Sequence, residues 1–238
     1  GGALTNSGTV ELAGGSLLGS VNSKGKNAEI VGSGSFIWSS GGIGLSYGLP
    51  GDGLTNRLNT FTITGTADKY INSDTTFTNA GTVTHRDTGY ILFGTQARLN
   101  NLAGAVYDLQ GDGSLARQCC WATGARVDNA GTFRKSGGTA ISYVDGVSFH
   151  NTGTVEVASG TLAFYGGVTQ HVGNTLTGGN WVVSGNAGLN MGNANIMTSS
   201  ASVTLSGQNS IFSQIDTLIN NAAGGSFTIQ NGRNFTTA

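Results

Sequence analysis

The chain has 238 residues, of which 41 are glycine, one is proline and only 10% are charged, with a formal net charge of −1. So small a charge supplies no field for nucleic acid or an anionic membrane, and moderate hydrophobicity with so little charge is not the composition of a disordered tail. No run approaches the roughly 18–20 apolar residues of a membrane span, so neither nucleic-acid binding nor membrane insertion is expected.

Taken in chain order, the predicted elements are copies of one phrase: apolar, any residue, Asn, one or two small residues, Gly, a small residue, then Val or Phe. It first appears as Leu4-Thr5-Asn6-Ser7-Gly8-Thr9-Val10. Short β-rich runs follow at Ile30 to Trp38 and Phe61 to Gly65. The phrase returns as Phe77-Thr78-Asn79-Ala80-Gly81-Thr82-Val83, and more loosely from Leu99 through Asn101 to Val106. Two further copies are Val127-Asp128-Asn129-Ala130-Gly131-Thr132-Phe133 and Phe149-His150-Asn151-Thr152-Gly153-Thr154-Val155. Runs at Trp181 to Ser184 and Val203 to Ser206 lead to a last variant, Leu218 through Asn221 to Phe227. Repeats at this spacing are solenoid repeats. Glycine interrupts nearly every window at about 1 kcal/mol relative to Ala in a helix, and runs such as Thr154-Val155-Glu156-Val157 alternate as a strand with one buried face does.

The expected fold is therefore all-β, a right-handed parallel β-helix (β-solenoid) of roughly ten coils of about 22–28 residues, forming a single domain over residues 1–238. Val10, Val83, Phe133 and Val155 are expected to stack inward. Asn6, Asn79, Asn101, Asn129, Asn151 and Asn221 are expected to form a structural corner ladder, with the following glycine supplying positive φ. Two columns test the register: fourteen residues after the motif Asn lie Phe93, Tyr143 and Tyr165, and five after it lie Arg134 and Glu156.

Thr175 to Asn190, Ser202 to Ser206 and Ala222 to Ala238 resemble the long repeats of autotransporter and filamentous-haemagglutinin-like β-helical surface proteins and the repeat-rich exoproteins of environmental bacteria. The resemblance implies a right-handed β-helix, export to the bacterial cell surface or exterior, and a structural or adhesive role without catalytic residues. Gly41 to Asn56 and Cys119-Cys120-Trp121 depart from the pattern. The opening Gly1-Gly2-Ala3-Leu4 carries no leader signal and reads as a mature or excised piece. Reading on from Leu218 across an Ala238–Gly1 join to Leu4 takes about 24 residues, one coil of the expected repeat. Neither end shows a polar cap, so the expected partner is the chain itself, head to tail, with surface glycans as a further partner.

Catalysis on a β-helix needs carboxylates converging from adjacent coils. Asp87, Asp108, Asp112 and Asp145 fall in different columns, so no enzyme activity and no cofactor are expected; a carbohydrate-binding or carbohydrate-cleaving β-helix, or a phage tail-spike segment, is the alternative. Asp128 and His150 share a column without a placed nucleophile and read as a surface pair. Gly51-Asp52-Gly53 and Gly111-Asp112-Gly113 read as turns rather than calcium sites, and His85, His150 and His171 show no ligand spacing. Strand alternation would send one of Cys119 and Cys120 inward and the other outward; the options are a buried Cys beside an exposed one, a vicinal disulfide or an intermolecular crosslink. Trp38, Trp121, Trp181 and several tyrosines are candidates for stacking on sugar rings.

Overall fold

The computed structural model describes residues 2–17, 27–44 and 51–237. Those residues wind into a β-solenoid of parallel strands with three faces, each strand pairing with its counterpart one coil away. The first face runs from Ala3–Thr5 through Asn27–Val31, Asp52–Asn56, Thr75–Asn79, Arg98–Asn101 and Arg126–Asn129 to Ser148–Asn151. The second carries the alternating strands, Thr82–His85, Val106–Leu109, Thr132–Lys135 and Thr154–Val157 among them. The third begins with the ends of the long strands Thr9–Leu17 and Ser35–Ile43 and continues through Lys69–Ile71, Ile91–Phe93, Leu115–Arg117, Ile141–Asp145, Thr161–Phe164 and Gly188–Asn190. Beyond Asn151 the first face is displaced by a small hairpin in which His171–Val172 pairs antiparallel with Thr175–Leu176.

One inward column of the second face counts the coils. It reads Val10, Phe36, Phe61, Val83, Tyr107, Phe133, Val155, Trp181, Val203 and Phe227, ten residues joined by nine steps of 22 to 26 residues. At the ~4.8 Å strand spacing those steps make a core about 43 Å long. Because each member sits directly above the last, aromatic neighbours meet face to face. Phe36 and Phe61 stack at 4.7 Å, and Tyr107 and Phe133 at 5.0 Å with their planes 4° apart. From Phe36 to Val203 the column is buried.

The asparagine ladder is continuous over five coils. Asn56 Nδ2 donates to Asn79 Oδ1 at 2.9 Å, Asn79 to Asn101, Asn101 to Asn129 and Asn129 to Asn151, the last three at 2.8 Å. The second amide hydrogen of Asn79, Asn101 and Asn129 goes to the backbone oxygen of Val106, Thr132 and Thr154, one coil on. Parallel stacking thus gives every side chain a partner on the next rung, which is what a buried amide requires.

Two expected members stand outside it. Asn56 pairs with Ile30, and Ile30 with Leu4, so the register passes Asn6 by; its side chain bonds Ser35 O and the Gly8 amide instead. Asn221 pairs with Ser199 beyond the hairpin and is exposed. Asn56 is the member the repeat phrase missed, because Asn56-Arg57-Leu58 lacks the glycine.

That glycine has a different role from the one expected. Gly81, Gly131 and Gly153 do not have positive φ; a Cβ at these positions would strike the backbone oxygens of Leu58, Ala105 and Gly131, in the preceding coil. They are needed for close approach between coils. Positive φ occurs only in the two copies with longer corners, at Gly104 and Gly224.

The Arg134–Glu156 column is present. The Phe93–Tyr143–Tyr165 column is not. Ile91 pairs with Leu115, Leu115 with Val144 and Val144 with Phe164, so the count from the ladder asparagine drifts from 12 to 14, 15 and 13. Corners of unequal length carry the slip. Phe93 is core, whereas Tyr143 and Tyr165 lie outside.

Candidate interaction surfaces

Four polar side chains lie inside the solenoid where the second and third faces meet: Lys69, His85, Tyr107 and Lys135. His85 Nε2 lies 2.9 Å from the Gly89 carbonyl oxygen, which only accepts, so this nitrogen carries the proton. Its Nδ1 lies 3.1 Å from the Tyr107 hydroxyl and takes that hydrogen. Burial pulls the imidazole pKa down to about 4 and pushes the Tyr107 phenol up. Burial also lowers the Lys69 ammonium, against the opposing pull of Asp87 and Asp68.

The His85–Tyr107 pair is thus neutral and hydrogen-bonded, built for packing. It has a pH signature. A folded pKa near 4 against an ordinary 6.5 means the unfolded chain binds the proton first. The contribution of neutral His85 is full above pH 6.5 and is lost as pH falls to 4, about 3 kcal/mol in all. Urea midpoints measured between pH 7 and 4 should fall accordingly, and His85→Gln should flatten that dependence.

Outside, ions pair locally. Burial opposes ionisation of Asp108, but hydrogen bonds from Arg134, Ser136 and Gln110 outweigh it and hold the carboxyl below its usual range. Arg134 therefore turns to Asp108, at 2.8 Å, rather than to Glu156. Asp128 and His150 are register partners with separate contacts. Asp128 takes Arg126 at 2.9 Å and faces Arg98 at 3.7 Å, while His150 Nδ1 meets Thr169 and Gln170.

Asp112 holds Lys135. Asp52 and Gly53 lie in a strand, not a turn. Among the described residues no three His, Cys, Asp or Glu side chains gather as a metal ion would need.

Cys119 and Cys120 are not strand residues. They occupy a turn closed by the Ala122 amide on the Cys119 carbonyl, so alternation does not apply and neither thiol enters the core. The two are not bonded to each other: Cys119 is partly covered and Cys120 exposed. Trp121 beside them is 62% exposed. Trp38 and Trp181, by contrast, are wholly buried and have no access to a sugar. The departing segment Gly41 to Asn56 resolves into the end of the strand Ser35–Ile43 and the whole of Asp52–Asn56, with residues 45–50 outside the described part.

Two kinds of surface remain available for contact. The first is the pair of end coils. At one end Val10, Leu12 and Leu17 are only partly covered and Leu4 is exposed; Leu4 and Leu17 line an open cavity of about 280 Å³ with Ala28, Ile30 and Leu54. At the other, Ile219 and Ile229 are exposed, and Phe235 packs edge-on against Phe227 at 4.6 Å. The second is the third face, with a groove of about 340 Å³ beside Tyr70 and Asn72 and one of about 690 Å³ where it meets the hairpin, between Tyr165 and His171.

No family model, no curated protein and no solved structure matches this chain.

Proposed function

We propose that this chain is a non-enzymatic structural unit of the bacterial exterior, one that stacks end to end by strand pairing into a filament, sheath or long surface adhesin. The observation that carries the reading is the match between the two open edges of the second face. Its last strand, Ser226–Gln230, ends one inward column at Phe227 and the other at Ile229. Its first strand begins those same columns with Val10 and Leu12. Laid on Ser226-Phe227-Thr228-Ile229, Thr9-Val10-Glu11-Leu12 is the same inward-apolar, outward-polar strand that Thr154-Val155-Glu156-Val157 supplies inside the stack. An unpaired edge of this kind is a template for another strand, and coils in a solenoid gain stability from each neighbour added. Stacking would require Phe235 to leave Phe227.

The test is a crosslink. In a chain carrying Cys119→Ser and Cys120→Ser, the substitutions Glu11→Cys and Thr228→Cys place thiols on strands that the junction sets about 4.8 Å apart, within disulfide reach. Mild oxidation should give a ladder of covalent multimers, and electron microscopy should show fibres with an axial repeat near 48 Å, ten rungs at that spacing. Uncrosslinked short rods at every concentration would sink the proposal.

A further inference from the structure

The tyrosines are not scattered. Of the chain's six, Tyr47 lies outside the described residues and Tyr107 is in the core; the other four, Tyr70, Tyr90, Tyr143 and Tyr165, all stand on the outer side of the third face. They occupy two neighbouring columns. One reads Ser16, Gly42, Tyr70, Leu92, Ala116 and Asp145, and backbone bonding carries it on to Tyr165. In the other, Tyr90 and Tyr143 flank Ser114, whose hydroxyl accepts the Tyr143 amide and which the neighbouring side chains bury.

We infer that this face binds a neutral polysaccharide chain laid along the solenoid axis, with the tyrosine rings as its platforms. Three observations point to that occupant. Each end of the first column places a glycine beside a tyrosine. Gly42 pairs with Tyr70, and a Cβ on Gly192 would lie 3.6 Å from the Tyr165 ring. Gly192 leaves room beside the Tyr165 ring, and the second groove opens at Tyr70 between Ser16, Gly42, Asn72 and Gln118. Four strand steps separate Tyr70 from Tyr165, about 19 Å, a span for an extended chain rather than a single small molecule.

Charge and polarity narrow the choice further. Among the described residues these columns carry only Asp68 and Asp145, with Arg117 at their edge, and none of the three forms a salt bridge there. The ion pairs formed by Arg57, Arg98, Arg126, Arg134 and Lys135 lie on the other faces or at their corners. An anionic polymer would find no basic track here. Between Tyr70 and Tyr165 the column holds Leu92, Ala116 and the charged Asp145, with Asn72 and Gln118 alongside, so polar groups interrupt the surface, unlike the dry apolar centre that a second solenoid packed side by side would need. Tyrosine offers an apolar ring with a hydrogen-bonding tip, which suits a ligand with C–H faces and hydroxyl edges. The inference is independent of end-to-end stacking.

The experiment is affinity electrophoresis of the whole chain through gels containing hydroxyethylcellulose, xylan or glucomannan, with alginate as the anionic comparison, at physiological salt. At least one neutral polymer should retard the protein. Tyr165→Ala should weaken that retardation about tenfold, equivalent to about 1.4 kcal/mol, and the Tyr70→Ala, Tyr165→Ala double variant should abolish it. Val172→Ala, at an exposed site on the hairpin, should leave it unchanged. Unfolding midpoints of all variants check that the fold is intact.

The inference fails if no neutral polymer retards the chain or only alginate does. It fails equally if retardation survives the double variant, or if that variant removes lateral self-association while leaving retardation as it was.

Discussion

Replacing Asn101 by alanine is expected to lower the stability of the solenoid by about 2–4 kcal/mol, more than an exposed corner substitution would. Asn101 is the middle rung of the ladder. Its oxygen receives the amide of Asn79, and its own amide serves Asn129 Oδ1 and Thr132 O. Alanine leaves a donor on Asn79 and an acceptor on Asn129 without their rung-to-rung partners in a buried column. Each buried group so abandoned costs about 1–3 kcal/mol. Asn79 keeps its bond to Val106 O and Asn129 Oδ1 is only half of an amide, which holds the total near the lower sum.

Asn101→Asp should be worse than alanine. A carboxylate has no hydrogen to give Asn129 or Thr132, and it would bring its charge into the core unpaired. Equilibrium urea unfolding followed by the fluorescence of buried Trp38 and Trp181 reads both. The control is Asn221→Ala, whose only side-chain bond among the described residues is a 3.5 Å contact with Gly225 at an exposed position, and whose midpoint should hardly move. Equal losses at Asn101 and Asn221 would mean that the ladder is decoration.

Which parts of this were legible in the sequence follows from the same physics. A parallel stack makes like residues meet, so a column that must be alike on every coil leaves a written trace. Asn79, Asn101, Asn129 and Asn151 were readable for that reason, as were Val83, Phe133 and Val155. The phrase covers one corner and the strands on either side of it, and there the register is tight. Past that corner the coils differ in length, and nothing local records by how much. The proposed tyrosine column failed on this point, since Val144 rather than Tyr143 meets Leu115. Parity alone then could not say which side of the sheet Tyr143 and Tyr165 take.

Glycine was misread for a related reason. A glycine at a corner announces either positive φ or a near neighbour, and only the packed coils distinguish Gly104 from Gly131. The thiols illustrate a third limit: alternation applies to strands, and Cys119-Cys120 turned out to lie just past the end of one. The interior polar groups had no signature at all. Lys135 occupies a position that its column fills with Leu109 on one side and Val157 on the other, and a lysine in a strand ordinarily reads as solvent-facing.

That lysine supplies the second large effect. Its side chain is fully buried, and its ammonium bonds Asp112 Oδ1 at 2.9 Å, Gly111 O at 2.8 Å and Ser142 Oγ at 3.0 Å. All three hydrogens are therefore used, but only Asp112 brings a compensating charge. Asp112→Ala is expected to destabilise by about 2–4 kcal/mol, because a buried ion that loses its counter-ion keeps its desolvation penalty. The Asp112 side chain is itself 27% exposed, so water softens the loss and the figure sits below that of a wholly buried pair.

Lys135→Met should behave oppositely. Methionine matches the stem in length, continues the Leu109–Val157 column with apolar atoms, and frees Asp112 to turn outward to water; replacing such an ion by a packed hydrophobe is commonly neutral or stabilising. Combining the two substitutions should then recover most of what Asp112→Ala loses, since no ammonium remains to be stranded. Urea midpoints of the two single variants and the double variant complete the cycle. Additive losses would show that Asp112 acts through the bond its carboxylate accepts from the Ala140 amide, at 3.1 Å. Recovery in the double variant would place the cost of the single one on the buried charge of Lys135.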